Sequence, residues 1–451
     1  MRRLSLILLA LILLMAMICP ATAQGSDLGT EVLTLLADEK FAELFERSSD
    51  QMRQAVKSAE GYQAIWQGLL LQFGAYQGAE GTGNQEADGY DRYQVDARFE
   101  RAVVTVVISF DQKGSLAGLV VLNVQTPKPA DRDTDKGERL LLRPGAEDET
   151  EAVLVIPQDP GPCPVLILMQ GSGPNDKNES AYGMTPFLDL AEGLSKRGIA
   201  TLRYDKYTLE HRDMLAKDAD LLASFTMREE YVNDALAAWQ TLSVDERFSD
   251  VFLLGHSQGA YAVPRVAAQL PKQAFRGLIL LAGSPLPITA LIDRQNRDAI
   301  ASAFLTSGQI TQALANLDAE KERLGMLGGM GEKELKAALF YGSLSGWYLK
   351  DEHEWAPAEL LNQMKTPVLI IQGAKDWQVK PEEGIQLWQE WLILSDKARP
   401  DTDYLLYPDM THLLFDLPGP SSGSAEDYAI PYPVSERLMD DLAGWIIQRS
   451  R

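Results

Sequence analysis

Val251-Phe252-Leu253-Leu254-Gly255-His256-Ser257-Gln258-Gly259 is the stretch on which the reading of this chain turns. Four apolar residues in a row mark a buried strand, and Tyr261 to Leu270 behind them carries apolar residues at helical spacing. Between the two lies Gly-x-Ser-x-Gly, the pattern of a sharp strand-to-helix turn that lifts one serine hydroxyl out of a sheet. Such a turn needs strained backbone at the serine and close packing on both sides, which Cβ atoms at Gly255 and Gly259 would obstruct. Ser257 is therefore the candidate nucleophile.

A serine hydroxyl is a weak nucleophile until a base takes its proton, so a histidine and an orienting acid are needed. Both follow in the order that this kind of turn requires. Val368-Leu369-Ile370-Ile371-Gln372-Gly373-Ala374-Lys375-Asp376 is a buried strand running through a glycine turn into Asp376. Tyr404-Leu405-Leu406-Tyr407 then leads through Pro408-Asp409-Met410-Thr411 to His412. His412 is the expected general base, and Asp376 the expected acid. Asp409 and Asp205 are the alternatives, Asp409 suiting a turn after Pro408.

The chain has four histidines. His211 lies in a polar stretch that suggests a surface or substrate-contact role. His256, inside the turn, is expected to pack or hydrogen-bond away from the nucleophile, and His353 sits among Asp351, Glu352 and Glu354. An oxyanion needs two backbone N–H donors. Gln258 is expected to supply one. The loop Gln170-Gly171-Ser172-Gly173-Pro174-Asn175-Asp176 after the strand Val165 to Met169 is expected to supply the other, from Ser172 or Gly173.

Around these motifs, apolar strands alternate with helices. Strands are expected at Val153 to Ile156, Val165 to Met169, Ile199 to Arg203, Val251 to Leu254, Leu278 to Leu281, Val368 to Ile371 and Tyr404 to Tyr407. Helices are expected at Phe187 to Lys196 and Arg228 to Leu242. Continuous apolar strands imply burial on both faces, so the fold class is α/β, a doubly wound and mostly parallel sheet. Residues 287–361 interrupt the alternation with helical patterns and read as a lid, with Gly325 to Gly331 as its joint.

Residues 27–126 differ. Apolar residues at helical spacing (Val32, Leu35, Leu36, Phe41, Leu44, Phe45, Met52, Val56, Ile65, Leu69, Leu70) precede runs of strand character at Tyr90 to Val95, Arg101 to Phe110 and Leu116 to Val124. This order predicts a small α+β domain. The proline- and charge-rich residues 127–150 read as a linker leading into the larger domain, 151–451.

At the amino terminus, Arg2-Arg3, an apolar run from Leu6 to Ile18 and Ala21-Thr22-Ala23 have the form of a secretory signal peptide cut after residue 23. The apolar run is shorter than the roughly 20 residues a bilayer span needs, so no membrane anchor is expected after cleavage. Ile18 before Cys19 departs from a lipoprotein pattern. Cys163 would then be the only cysteine, which excludes an internal disulfide. A net charge of −22 argues against nucleic acid as a partner. Four scattered histidines and one mature cysteine lack metal-ligand spacing, and no phosphate-binding loop is present, so no metal or cofactor is expected.

With Ser257, Asp376, His412 and the loop at Gly171 in place, residues 151–451 resemble the α/β-hydrolase superfamily. Gly171-Ser172-Gly173-Pro174-Asn175-Asp176 resembles the oxyanion loop of bacterial serine carboxylesterases, many of which carry an NTF2-like amino-terminal domain. The resemblance implies hydrolysis of small-molecule esters with short acyl groups, in a secreted or periplasmic setting. It extends to prolyl-oligopeptidase-like peptidases, so a serine aminopeptidase is the alternative enzyme. A binding protein on a hydrolase scaffold is the non-enzymatic one.

Overall fold

The computed structural model describes residues 27–450 apart from 88, 101, 126–135, 159–160, 303–306, 395–396 and 429. The expected signal peptide and the first part of the linker lie outside the described residues. The chain forms two compact units.

The larger unit comprises Asp131–Ile292, Leu324–Gly423 and Pro431–Arg451. Its sheet has eight strands: β5 (Glu138–Leu142), β6 (Thr150–Val155), β7 (Cys163–Met169), β8 (Ala200–Tyr204), β9 (Phe248–His256), β10 (Gly277–Leu281), β11 (Val368–Gly373) and β12 (Thr402–Tyr407). The smaller unit contributes β1 (Tyr76–Ala87), β2 (Tyr90–Phe99), β3 (Val103–Asp111) and β4 (Leu116–Gln125).

The order across the large sheet is β12-β11-β10-β9-β7-β8-β6-β5. Strands β7 to β12 pair in parallel, while β6 lies antiparallel to β8, and β5 to β6. Every residue of β7, β10 and β11 is buried, which explains their unbroken apolar sequences. Burial is two-sided with period two. Val165, Ile167, Leu253, Leu278, Leu280, Val368 and Ile370 face the helices Asn233–Leu242 and Gln258–Ala268. Leu166, Leu168, Phe252, Leu254, Ile279, Leu281, Leu369 and Ile371 face the helices Pro186–Ser195 and Glu436–Arg449.

Strand β5 falls where the sequence reads as linker, at Glu138–Leu142. It is an edge strand with only Leu142 buried, so it lacks the apolar run that marks the interior strands. The expected helix at Arg228 to Leu242 opens with a π turn, Arg228–Val232, whose Glu230, Tyr231 and Val232 are all buried.

Because β8 and β9 flank β7 on opposite sides, the loops that leave β7 and β9 lie side by side at the carboxyl edge. Met169 pairs with Gly255 there. Open α/β sheets bind ligands at such a reversal of strand order.

Within 287–361, Leu327, Leu335, Phe340, Tyr348, Leu349, Ala358 and Leu361 belong to the core of the larger unit. Asp293–Arg323, most of two helices (Ile288–Ser302 and Ser307–Gly325), groups with the smaller unit.

In the smaller unit four helices (Asp27–Ala37, Phe41–Glu46, Asp50–Val56, Ala59–Phe73) precede the antiparallel sheet β1-β2-β3-β4. Val32, Leu36, Leu44, Trp66 and Phe73 pack on Val95, Phe99, Val104, Val106 and Ile108. Strand β1 was not expected. Its sequence, Tyr-Gln-Gly-Ala-Glu-Gly-Thr-Gly-Asn-Gln-Glu-Ala, is glycine-rich with little strand propensity, and the register with β2 shifts at Gly78 and Gly83.

Candidate active site

Ser257 sits at the end of β9 with φ 54° and ψ −121°, a region an L-residue enters at a cost of about 1–3 kcal/mol. Three glycines make this possible. A Cβ on Gly255 would come within 2.3 Å of the Gly259 carbonyl oxygen, and one on Gly259 within 2.5 Å of the Gln170 carbonyl oxygen. A Cβ on Gly283, just past β10, would stand 2.7 Å from the Ser257 carbonyl oxygen. The Ser257 N–H donates to the Leu281 carbonyl at 2.9 Å. From Val251 to Val266, Ser257 is the one residue that is not buried. Strain and packing together present this side chain.

Asp376 and His412 lie in the loops after β11 and β12. Gly373 closes β11 so tightly against Met410 that a Cβ would lie 2.1 Å from the Met410 carbonyl oxygen, and this crossing brings the two loops together. His412 Nδ1 is 2.8 Å from Asp376 Oδ2. The carboxylate is held by other donors as well: Gln378 and Val379 N–H to Oδ1 at 2.9 and 2.8 Å, and Gln372 Nε2 to Oδ2 at 2.7 Å. Both residues are buried. Asp409 is exposed and pairs with Lys375 Nζ at 2.7 Å, while Asp205 accepts the Lys177 N–H at 2.6 Å. Asp376 is thus the carboxylate against His412.

His256 ties these parts to one another. Its Nε2 donates to the His412 carbonyl at 2.9 Å, and the two rings lie 4.7 Å apart, so His412 stands beside the residue that precedes Ser257. Its Nδ1 is 2.9 Å from Glu179 Oε1. Burial alone would lower the His256 pKa, but the Glu179 carboxylate and the His412 carbonyl outweigh it and raise the pKa. The expectation that His256 packs or hydrogen-bonds agrees with these partners. His211 instead lies against Tyr207 with the ring planes tilted by 50°, and His353 lies 3.4 Å from the Thr289 hydroxyl.

The loop after β7 runs along Ser257. A Cβ on Gly171 would meet Ser257 Cβ at 2.8 Å and its Oγ at 3.4 Å. The Gly171 N–H donates to Glu179 Oε1 at 2.6 Å, which commits that donor and leaves Ser172 and Gly173 as the loop's expected oxyanion donors. Gln258 opens the following helix, and its side chain reaches Tyr231, Tyr348 and Glu352. Sequence reading missed Glu179, Lys206 and Tyr231, all buried around Gly171. The available signal was a lysine two residues past the end of β8, in Tyr204-Asp205-Lys206. Among the described residues no group of three or more His, Cys, Asp or Glu side chains is arranged to hold a metal ion.

A match to the alpha/beta hydrolase family spans residues 166–420 and takes in Ser257, Asp376 and His412. The chain belongs to the alpha/beta hydrolase family. Residues 30–119 match a second family, of proteins of unknown function (DUF3887). The alpha/beta hydrolase is 26% identical over 413 residues to esterase EstD of Thermotoga maritima, covering 92% of this chain and 93% of that one. Among solved structures it is similar to Est1E from Butyrivibrio proteoclasticus (TM-score 0.43, 17% identity, 69% of this chain and 98% of that one). It is also similar to a proline iminopeptidase from Mycobacterium smegmatis (TM-score 0.39, 16% identity, 69% and 99%).

Proposed function

We propose that this alpha/beta hydrolase is a serine carboxylesterase acting on short-acyl esters. The observation that carries the reading is the chain of contacts Asp376–His412–His256, which ends next to a strained, outward-facing Ser257. In this reading the Ser257 hydroxyl attacks the ester carbonyl as His412 accepts its proton, and Asp376 fixes the imidazole tautomer through Nδ1. Backbone N–H groups of Gln258 and of Ser172 or Gly173 hold the oxyanion. His412 returns the proton to the leaving alcohol, and a water activated by the same imidazole frees the acid from Ser257. The choice of an ester over an amide is supported by the similarity to EstD along nearly the whole chain.

The test is hydrolysis of a p-nitrophenyl ester series from acetate to decanoate, with covalent labelling by a fluorophosphonate. Short esters should be cleaved fastest, and Ser257→Ala should lose both turnover and label. Undiminished hydrolysis by Ser257→Ala would overturn the proposal. We also infer export, from the form of residues 1–23; amino-terminal sequencing of the secreted protein should begin at Gln24, and a retained Met1 would refute it.

A further inference from the structure

The Gly171 carbonyl, in the loop that runs along Ser257, is surrounded by side-chain donors. It accepts from Lys206 Nζ at 2.7 Å and from Asn175 Nδ2 at 3.1 Å, with the Tyr231 hydroxyl 3.0 Å away. Lys206 is buried, and its ammonium also contacts the Tyr231 hydroxyl at 2.7 Å and Glu230 Oε1 at 2.7 Å. The π turn Arg228–Val232 directs both partners inward. An ammonium spent on a backbone carbonyl in a buried site is costly to desolvate, so the arrangement calls for a reason.

Peptide geometry supplies one. The Gly171 carbonyl and the Ser172 N–H belong to the same planar unit, and no cis peptide bond occurs among the described residues, so the C=O and N–H bonds point in opposite directions. Anchoring the oxygen on Lys206 fixes the direction of the N–H, and a cation on the oxygen makes that N–H a stronger donor. The Tyr231 hydroxyl also lies 2.9 Å from Gln258 Oε1, so one phenol touches both segments from which oxyanion donors are expected.

We propose that Lys206 is a positioning residue of the oxyanion hole: it clamps the Gly171–Ser172 peptide so that the Ser172 N–H meets the developing oxyanion, which selects Ser172 over Gly173 as donor. This rests on the serine-hydrolase reading above. Burial lowers the Lys206 pKa, while Glu230 and Glu179 hold it up, so the clamp keeps its charge through the two carboxylates around it.

The test compares wild type, Lys206→Met and the double variant Lys206→Met/Glu230→Gln, which also removes the buried carboxylate paired with the lysine. Active sites are counted by fluorophosphonate titration, so that turnover is expressed per competent site. Deleting an oxyanion donor outright costs about 10²–10³ in kcat, so loss of its clamp should cost roughly 10- to 100-fold per site with KM changed less than about threefold. The inhibition constant of an alkyl boronic acid, whose serine adduct places an oxygen in the hole, should rise in parallel. A purely structural lysine would lower the number of titratable sites and leave turnover per site and boronate affinity unchanged, and that result overturns the proposal. If Lys206→Met does not fold, the double variant and Tyr231→Phe carry the same readouts. A wild-type protein that neither turns over esters nor takes the label would refute the serine-hydrolase reading itself, a different outcome from unchanged kinetics in the variants.

Discussion

His412 Nδ1 stands 2.8 Å from Asp376 Oδ2, and the same carboxylate accepts from Gln372, Gln378 and Val379. A carboxylate so held cannot swing away from the imidazole, so it sets both ring orientation and tautomer. In Asp376→Asn, kcat/KM for a short ester should fall on the order of 10⁴-fold with the fold intact by circular dichroism. Asp409→Asn, which changes only an exposed pair with Lys375, should stay within about twofold. Equal losses in the two variants would contradict the assignment of the acid.

Gly171 has no space for a side chain on the serine side. A methyl group there would press on Ser257 Cβ at 2.8 Å and on Glu179 Oε1 at 3.2 Å. Gly171→Ala should therefore reduce turnover by about tenfold or more through displacement of the nucleophile or of the loop. Steady-state kinetics with active-site titration would show it, and wild-type turnover would count against the described loop position.

Gly255→Ala should act on stability. Its Cβ would meet backbone atoms of Gly259 at 2.3 and 2.4 Å and of Ala260 at 2.7 Å, none of which is a yielding side-chain end. Overpacking of this kind costs about 1–3 kcal/mol, so thermal unfolding should move down by several degrees. An unchanged melting temperature would mean that the turn relaxes freely.

Glu352 is fully buried, accepts the Ile288 N–H at 3.0 Å and the Gln258 amide at 3.4 Å, and has its carboxyl pKa pushed up to about 7 by burial. An acid with a raised native pKa holds its proton more tightly folded than unfolded, so stability is greatest below the ordinary value of 4.5 and falls as pH rises to about 7. The shift corresponds to roughly 3 kcal/mol. Urea unfolding of wild type and Glu352→Gln from pH 4.5 to 8 should show this contribution in wild type and not in the variant. Parallel profiles would refute it.

The proposed clamp predicts an alkaline limit to activity. Its ammonium faces Glu230 and Tyr231 of the π turn and Glu179 of the loop after β7, and burial sets its pKa below the ordinary 10.5. The charged form anchors Gly171, so kcat should decline as pH rises through the Lys206 pKa. In Lys206→Met/Glu230→Gln that limb should vanish from a profile that starts lower. A limb that survives in the double variant belongs to another group.

Much of the candidate site was legible along the chain because a strand-to-helix turn is local. Gly255, Ser257 and Gly259 are within five residues, between an apolar strand and a helical pattern, and the two glycines leave room for the positive φ found at Ser257. The buried strands β7, β9, β10 and β11 were equally plain, since burial on both faces demands uninterrupted apolar sequence. Strands β1 and β5 were not, because a glycine-rich strand and an exposed edge strand take their shape from the partners they pair with, β2 and β6.

The fold class, the serine at its turn, and the order of serine, acid and histidine follow from local spacing and continuous hydrophobicity. That Asp376 rather than Asp409 meets His412, that His256 bridges Glu179 to the His412 carbonyl, and that Lys206 grips Gly171 emerge in three dimensions. Those choices depend on which loop ends adjoining strands bring together. Strand order and register set that, and neither is written in the spacing of residues along one segment.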